Sequence, residues 1–532
     1  MKHVAAVISM LHESPDVNSA VRKFRGAAVL QWTLNRLARA GSIDSMSILC
    51  WDDQHVSAAT SAENRGVAVL SKGPRQLLPG MEAISAARRW SDGWRGGLLG
   101  TCEFDLGFHP QWTAEISGDA VVLIDPAAGL IDAVLVDGLI EHARSHPSAE
   151  LCFTPAAVGL NAVLLRRSLI DRLTVARIHP GRLLTYWPDQ HGTDPTGKDG
   201  CAATPTSVAR SVHRFKLDSH RQLIRADHAT VCFNGQLIST ESQELAHRMR
   251  GCESVDVLPR DVVLEINTAR STQPIFSAAG HLKIKRPDLP LPIAEKLFSE
   301  LSTLDDVRLT LSGVGDPLLS PAFFEIVAAA RSSGITAINV ETDFLQSDPE
   351  KLVAAGIDVV SVHLPAATPA TYAKLMGLDG FTKMMENIRL LEQEVRRVGR
   401  GTPLIAPIFT KTAINLAEMD VWYDYWLRRL GHAVIVGPSD LAGQIPDSAV
   451  ADMAPPRRRA CGRLASRMTI LSDGTIVSCE QDIFGKQAMG MIGQTPIQEI
   501  WKSRFTALRR CHEKSEWNGQ PLCAGCREWH RP

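Results

Sequence analysis

The sequence predicts an α/β protein built from three units, and three observations lead to this prediction. Short apolar runs alternate with helical spacing over residues 1–240, six further strand–helix pairs lie within residues 258–440, and a cysteine-rich stretch fills residues 455–532. A chain of 532 residues is several times longer than a single domain of about 100–200 residues. More than one hydrophobic core is therefore expected.

Composition restricts the classes of function. Hydrophobic residues make up 45% and charged residues 22% of the chain, which is typical of a packed globular protein and excludes a disordered or collagen-like chain. The 57 basic and 58 acidic side chains nearly cancel, so no overall field attracts the protein to nucleic acid or to an anionic membrane. We therefore expect neither a nucleic-acid partner nor a membrane partner.

The N-terminal unit, residues 1–240, has the pattern of a layered sheet. Val4–Met10, Met46–Trp51 and Ala120–Ile124 are apolar runs typical of strands, and Val29–Ala40 has helical spacing. Strands that alternate with helices favour a Rossmann-like parallel sheet. The segment GTDPTGKD (192–199) approaches a phosphate-binding loop, but no strand precedes it and an aspartate replaces the Ser or Thr, so we predict no P-loop there.

The second unit, residues 258–440, repeats the strand–helix pair six times without hairpin turns. The predicted strands are Val262–Asn267, Val307–Leu311, Ala337–Glu341, Val359–Leu364, Leu404–Phe409 and Ala433–Val436. This order predicts a parallel sheet that closes into a partial (βα)6 barrel of the TIM type. Chemistry in such barrels takes place at the C-terminal ends of the strands.

The third unit, residues 455–532, is defined by cysteines. No cysteine lies between Cys252 and Cys461, whereas the tail carries four in a C-x17-C-x43-C-x2-C array: Cys461, Cys479, Cys523 and Cys526. A Ser-Asp-Gly turn at 472–474 between two apolar runs predicts a β-hairpin that brings the first two together. Four thiolates suit zinc or an iron-sulfur cluster, and the spacing leaves both open. The preceding arginines, 457–459, are typical of a solvated linker.

The cellular compartment follows from signals that the sequence lacks. No apolar run reaches the roughly 18 residues of a membrane span. The opening MKHVAAVISML has neither a long apolar core nor a small-residue cleavage site, so we interpret it as a strand. A large chain without a secretory signal is expected to keep its thiols reduced. The expectation is a cytoplasmic protein.

The amino-acid sequence of the tail also resembles a known family. The run CGRLASRMTILSDGTIVSCEQDIFGKQAMGMI, then TPIQEIWKSRFTALRR and PLCAGC, resembles the SPASM or "twitch" extension of radical S-adenosylmethionine (SAM) enzymes. The resemblance covers nearly all of the last 72 residues. It implies that the four cysteines hold one auxiliary 4Fe-4S cluster. Cys511 lies where the family pattern has no ligand, and we treat it as a spare thiol.

The barrel sequence resembles the radical SAM core in part. LSGVGDPLLSP (Leu311–Pro321) looks like the second-strand motif, which implies that Gly313 and Gly315 approach SAM and that Asp316 meets its amine. The family's C-x3-C-x2-C motif is missing, because its places hold Arg270, Pro274 and Ser277. Without three thiolates no site-differentiated cluster can form, so SAM cleavage is not expected and SAM binding itself is in doubt.

His363 stands at the predicted mouth of the barrel, where the family has a different residue. A histidine at this place suits a ligand, a base or a structural role, and the structural role is the favoured interpretation.

The N-terminal unit resembles sugar nucleotidyltransferases of the cytidylyltransferase type. VVLIDPAAGLIDAVLVDGLIEHA (Val121–Ala143) and FRGAAVLQWTLNRLARAG (Phe24–Gly41) carry the resemblance. It implies that Asp125 and Asp218 bind magnesium, and that a nucleotide or nucleotide-sugar binds there. The loop LHESPDVNSAVRKFRG (11–26) lacks the family's Gly-rich, Arg-bearing signature.

Three functions from different classes are consistent with these patterns. The favoured one is an iron-sulfur protein derived from radical SAM enzymes that does not cleave SAM and serves as a scaffold, electron-transfer or partner-binding protein for a protein or peptide. The first alternative is a magnesium-dependent nucleotidyl- or glycosyltransferase-like enzyme that uses the N-terminal unit. The second is an atypical radical SAM enzyme.

Overall fold

The computed structural model describes most of the chain, in two compact units. The described residues are 1–13, 18–76, 81–90, 110–176, 180, 183, 188–189, 197–233 and 236–531. One unit comprises residues 1–78 and 100–256, and the other comprises 79–99 and 257–532. Residues 192–196 of the GTDPTGKD segment, and 14–17 of the loop after the first strand, lie outside the described residues.

The described residues of the first unit form eight strands. They are β1 (Val4–Ser9), β2 (Lys23–Phe24), β3 (Ala27–Ala28), β4 (Ser45–Cys50), β5 (Ala68–Ser71), β6 (Ala120–Ile124), β7 (Leu151–Phe153) and β8 (Val163–Arg166). Up to residue 248 the helices are α1 (Val29–Leu37), α2 (Asp52–Ala62), α3 (Met81–Trp90), α4 (Pro110–Thr113), α5 (Ala133–Ser145), α6 (Arg167–Ala176), α7 (Thr206–Ala209), α8 (His220–Thr230) and α9 (Ser242–Arg248).

Six of these strands form one sheet in the order β5-β4-β1-β6-β8-β7. β5, β4, β1 and β6 run parallel, and β8 is antiparallel to both β6 and β7. Every residue of β1 and β6 is buried, because these central strands are covered on both faces, and this accounts for their unbroken apolar sequences. The predicted Rossmann-like sheet is confirmed.

The second unit is dominated by one sheet of nine strands. Its strands are β9 (Asp261–Leu264), β10 (Arg308–Leu311), β11 (Ala337–Thr342), β12 (Val359–His363), β13 (Leu404–Thr410), β14 (Val434–Val436), β15 (Arg467–Ile470), β16 (Thr475–Val477) and β17 (Ala488–Met491). Its helices after residue 257 are α10 (Ala278–His281), α11 (Leu291–Leu301), α12 (Phe323–Ser332), α13 (Pro349–Ala354), α14 (Pro369–Met376), α15 (Phe381–Val398), α16 (Met419–Leu430), α17 (Arg463–Ser466), α18 (Ile497–Ile500) and α19 (Thr506–Glu513).

The first six strands of this sheet are parallel and in chain order from β9 to β14. The predicted partial (βα)6 barrel is therefore confirmed, and the predicted helix over 381–398 is observed as α15. The first strand is shorter than predicted and ends at Leu264, although the amide of Glu265 still donates to the Ile470 carbonyl of β15 at 2.9 Å. The side chains of Glu265 and Asn267 bind Arg286 and the Asp316 carbonyl.

The cysteine-rich tail continues the barrel sheet at its first strand. β15 pairs in parallel with β9, from Arg467 opposite Asp261 to Ile470 opposite Leu264. β16 and β17 then add in antiparallel order, so β17 is the last strand of the sheet. Buried apolar side chains from the barrel helices and from the tail form one hydrophobic cluster.

Helix α3 belongs to the second unit although its sequence lies within the first. Arg89 donates a hydrogen bond to the carboxylate of Asp358, the residue before β12, and its carbonyl accepts from Arg308 Nε at 2.6 Å. The Asp358 carboxylate also accepts from the amide of Ile338 at 2.7 Å. Because these partners lie at the N-terminal ends of β10, β11 and β12, α3 covers the base of the barrel. No helix in the described part of the chain is long and apolar enough to cross a membrane.

Candidate metal centre and the barrel mouth

The predicted hairpin is present and positions two of the cysteines. β15 and β16 pair antiparallel, with Thr469 opposite Val477. Gly474 has a φ of +86°, which glycine adopts without strain, and its amide donates to the Leu471 carbonyl at 2.9 Å to close the turn. Cys461 lies just before α17 and β15, and Cys479 follows β16. The two cysteines are therefore held at the same end of the hairpin.

The Cys523–Cys526 pair forms a tight turn of its own. The amide of Cys526 donates to the carbonyl of Cys523 at 3.2 Å. The amide of Glu528 then donates to the Cys526 sulfur at 3.3 Å. Backbone donors of this kind stabilise thiolates that ligate a metal.

All four predicted cysteines line one cavity, together with Arg458, Arg463, Leu464, Ser478, Gln481, His512, Leu522, Glu528 and Trp529. Cys511, which lies on α19, is absent from this lining. Each of the four is a free thiol. Among the described residues no group of three His, Cys, Asp or Glu side chains is arranged to hold a metal ion.

Burial controls the protonation of these thiols. It raises the pKa of Cys479 to about 12, and burial together with the neighbouring Cys461 and Cys526 raises the pKa of Cys523 to about 12. The pKa of Cys526 is also raised, again mainly by burial. Ligation requires thiolates, so binding of a metal or cluster releases these protons.

Two arginines that the sequence did not single out supply positive charge beside the sulfurs. Arg463 is buried, with Glu480 at 3.2 Å and Glu528 at 3.7 Å, and these carboxylates outweigh burial and raise its pKa. Arg458 donates to the Cys523 carbonyl at 2.6 Å, and its guanidinium lies 4.7 Å from the Trp517 ring centre. The linker interpretation therefore fails for Arg458, whose neighbours 457 and 459 are exposed.

His512 is a second residue that sequence reasoning missed. It is buried, it lines the cavity, and its ring lies 3.4 Å from the amide of Cys461. Burial, followed by the charge of Arg458, lowers its pKa. The helical pattern of α19 could have indicated that His512 and Leu508 share the buried face. Four thiols, two arginines and amide donors to sulfur form a set that fits an anionic iron-sulfur cluster.

The mouth of the barrel holds a different arrangement from the one that the cysteine motif would give. Arg270 Nε donates to Asp343 Oδ2 at 2.8 Å, and its terminal nitrogen contacts Asp343 and lies 3.1 Å from His363 Nδ1. The Thr272 hydroxyl also donates to Asp343. These side chains are buried together, with Arg270 8% and Asp343 2% exposed. His363 Nδ1 lies 3.1 Å from Asp343 Oδ1, so one ring nitrogen is engaged by this buried group, as the favoured structural interpretation expects.

The charges of this buried pair stabilise one another. Burial disfavours both charged forms, but the carboxylate of Asp343 raises the pKa of Arg270, and Arg270 with His363 holds the pKa of Asp343 below its usual range. The pKa of the nearby Asp316 is raised by burial and by Asp343. The guanidinium thus occupies the sequence position of a cluster cysteine with a fixed internal partner.

Asp316, the predicted SAM-amine residue, is also engaged internally. Its Oδ2 accepts from the Thr342 hydroxyl at 2.8 Å and from the Asp343 amide at 2.9 Å, and its Oδ1 accepts from Leu318 at 3.0 Å. The predicted close approach at Gly315 is made by Asn267, since a Cβ at Gly315 would lie 2.1 Å from Asn267 Oδ1.

The space beside Gly313 is likewise occupied by a side chain of the barrel. A Cβ at Gly313 would lie 2.6 Å from Cγ of Glu265, whose carboxylate binds Arg286 at 2.7–2.9 Å and the amide of Val314 at 3.0 Å. Glu265, Gly313 and Val314 also line a cavity of about 260 Å³ in the barrel. Both glycines therefore accommodate residues of the chain itself.

In the first unit, the structure brings Asp125 and Asp218 near one lysine. Asp125 follows β6 and is 4% exposed, and Lys216 Nζ donates to its Oδ2 at 2.5 Å. The same Nζ lies 3.8 Å from Asp218, which is also bound by Arg214. Lys216 was missed although it stands in the FKLDSH segment that supplied Asp218.

Glu13 is a third carboxylate of this region. It is buried after β1, and the amide of Ser19 donates to it at 3.2 Å. Burial raises its pKa to about 8, against the Ser19 hydrogen bond, and the charge of Asp125 adds to the rise. Three carboxylates and Lys216 thus lie at the C-terminal ends of β1 and β6, the edge at which parallel sheets bind ligands.

Comparison with known proteins identifies the tail. Residues 461–527 match the SPASM family, described as an iron-sulfur cluster-binding domain. A Treponema pallidum (strain Nichols) protein named "Uncharacterized protein" is 25% identical over 236 residues, which span 42% of this chain and 64% of that one. The chain therefore aligns with less than two thirds of that relative.

Two solved structures are similar at low sequence identity. BtrN in complex with AdoMet and 2-DOIA is 16% identical, with a TM-score of 0.35 over 50% of this chain and 92% of that one. A cytidylyltransferase from Leptospira borgpetersenii serovar Hardjo-bovis (strain JB197) is 16% identical, with a TM-score of 0.32 over 46% of this chain and 93% of that one. Because both TM-scores are below 0.5, the fold assignment rests on the strand order alone. The match over residues 461–527 confirms the predicted resemblance of the tail, which is a SPASM iron-sulfur cluster-binding domain.

Proposed function

We propose that this protein holds one auxiliary 4Fe-4S cluster at Cys461, Cys479, Cys523 and Cys526, does not cleave SAM, and serves as a scaffold or electron-transfer protein for a protein or peptide partner. We assign three sequence segments, residues 1–240, 258–440 and 455–532, to the sheet unit, the barrel and the cluster-binding tail, and the last two share one sheet. When bound, the cluster supplies an anionic, redox-capable centre that ties the two ends of the tail together. Arg458 and Arg463 offset its charge, and the backbone amide of Glu528 donates to one sulfur.

The observation that carries the proposal is the buried pair of Arg270 and Asp343. A guanidinium cannot bind iron, and this one is fixed by two contacts to the carboxylate and one to His363. Substituting cysteine for Arg270 alone would leave Asp343 buried without its partner. Conversion to a catalytic cluster site would therefore require several changes at once.

The engagement of Asp316 supports the same conclusion for SAM. A carboxylate that already accepts three hydrogen bonds from the chain has little capacity left for an added amine. In the family pattern these glycines leave space for SAM, but here Glu265 lies against Gly313 and Asn267 lies against Gly315. We therefore expect SAM to bind weakly or not at all.

Iron analysis with an EPR spectrum of the reduced, anaerobically purified protein tests the proposal. We expect about four irons per chain, the content of one cubane cluster, and no 5′-deoxyadenosine when SAM and a reductant are added. Cys479→Ser should lower the iron content, whereas Cys511→Ser, the matched control, should leave it unchanged. About eight irons per chain, bound zinc in place of iron, or SAM cleavage would refute the proposal.

A magnesium-dependent nucleotidyltransferase-like function of the first unit is a second candidate. It is favoured by the buried carboxylate of Asp125 and the half-buried carboxylate of Asp218, which lie around Lys216 at the strand ends of the sheet. Acting with magnesium, such a set suits a nucleoside triphosphate, since the cations neutralise its phosphates. CTP with magnesium should then raise the melting temperature, and Asp125→Asn should remove that increase while the exposed Asp171→Asn retains it. No stabilisation by CTP, other nucleoside triphosphates or a nucleotide-sugar would eliminate this candidate.

A further inference from the structure

The last strand of the large sheet borders an open cleft. β17 is paired with β16 alone among the described strands. Because the amide of Ile492 donates to the Gly474 carbonyl on the β16 side, strand alternation directs the amide of Met491 to the outer side. A cleft of about 640 Å³ runs beside this edge, between β17 and the segment 283–286.

The cleft carries positive charge that the protein does not neutralise. Lys283, Lys285 and Arg504 line it, and none of them forms an ion pair with a described residue. The two lysines are exposed while Leu282 and Ile284 are half-buried, so the alternation of this extended segment turns both ammonium groups outward. The only carboxylate of the lining is that of Asp473, which already accepts from the Thr475 amide at 3.0 Å.

Apolar side chains stand between these charges. Phe484 is 49% exposed and Met491 is 36% exposed, and both line the cleft. Lys486 lies 5.4 Å from the Phe484 ring centre, so the ring is oriented by a cation on one face. Exposed apolar residues beside the outward-facing amide of Met491 suit an added strand, in which main-chain hydrogen bonds supply affinity and alternate side chains enter apolar sites.

We propose that this edge, defined by Lys283, Lys285, Phe484, Met491 and Arg504, binds an extended peptide segment of a partner protein with alternating acidic and apolar side chains. The peptide adds to β17 as a further strand. Its acidic side chains face the two lysines and Arg504, and its apolar side chains contact Phe484 and Met491. This inference rests on the proposed scaffold function and names the class of partner.

Binding of a fluorescent peptide of about ten residues, made of alternating glutamate and valine, tests the proposal on the purified holoprotein by fluorescence anisotropy. We expect saturable binding that weakens when ionic strength rises from about 0.1 M to about 1 M, since the screening length falls from about 10 Å to about 3 Å. A lysine–valine peptide of equal length should not bind.

Charge variants locate the site. The double variant Lys283→Glu/Lys285→Glu should weaken binding about tenfold, and Arg504→Glu should weaken it further. Lys502→Glu, which changes an exposed cation on the same helical segment outside the cleft, is the matched control and should bind like the unchanged protein. Equal losses in the control would show that only net charge matters and would overturn the site.

Strand addition has its own signature. Methylation of alternate backbone nitrogens of the peptide should abolish binding while its charge stays the same, and no change of the protein is needed for this measurement. Absence of binding, equal binding of the methylated peptide, or self-association of the protein through this edge in sedimentation velocity would each overturn the proposal. The iron content and SAM assay of the same preparation report separately on the proposed function, so the two failures are distinguishable.

Discussion

Replacement of Arg270 by methionine removes a buried charge and leaves its partner in place. Asp343 is 2% exposed and would lose the donors at 2.8 Å and at the terminal nitrogen, while Asp316 remains close. Breaking a buried pair in this way costs about 3–5 kcal/mol. At about 2–4 °C per kcal/mol for a unit of this size, the melting temperature of the second unit should fall by about 6–20 °C. Thermal unfolding followed by circular dichroism measures this change.

A double variant separates the loss of a pair from the loss of packing. Arg270→Met/Asp343→Leu removes both charges, so it should regain most of the stability lost in Arg270→Met. Arg389→Met is the matched control, because the Arg389–Glu386 pair is exposed and should contribute less than about 1 kcal/mol. The reasoning is refuted if Arg270→Met costs no more than Arg389→Met, or if the double variant is no more stable than the single one.

Three further outcomes follow from the described contacts. Folding raises the pKa of Glu13 from 4.5 to about 8, so between these pH values the folded state retains a proton that the unfolded state loses. The free energy of unfolding should therefore fall as pH rises through this window, and thermal melts of Glu13→Gln at several pH values should lack that dependence. Cys523→Ser should lose iron and make the tail sensitive to protease, whereas a Cys523→Ser protein with full iron and unchanged melting would contradict the ligand assignment. Gly315→Ala places a Cβ 2.1 Å from Asn267 Oδ1 and should lower the free energy of unfolding in urea by about 1–3 kcal/mol. Gly462→Ala, whose Cβ would have no atom within 4 Å, should leave that free energy unchanged, and equal effects of the two variants would argue against the clash.

The predictable parts of the fold are those with local signals. The hairpin could be placed because Asp473 and Gly474 form a turn between two apolar runs, and the Gly474 φ of +86° explains why that pair suits it. The barrel strands could be placed because buried parallel strands have continuous apolar sequences. The cysteine array could be identified because four cysteines at this spacing can supply four thiolate ligands to one metal centre.

The remaining features depend on contacts between distant residues. Arg270 and Asp343 are separated by 73 positions, and each alone is an ordinary charged residue. β15 pairs with β9 although about 200 residues separate them, so the sequence of neither strand predicts this pairing. Arg458 could not be distinguished from Arg457 and Arg459 by sequence, because only burial beside Trp517 sets it apart.

Helix α3 is synthesised long before the barrel residues that it contacts. Arg89 is made 269 residues before Asp358, its partner at the base of the barrel. At roughly 5–20 residues per second, α3 waits roughly 15–50 s on the ribosome before that carboxylate exists. During this interval Trp90, which is 3% exposed in the finished protein, has no barrel to cover it. The nascent chain therefore exposes the buried face of α3, including Trp90, while the rest of the first unit and the first three barrel strands are being translated, and exposed apolar surface of this kind is open to chaperones and to aggregation.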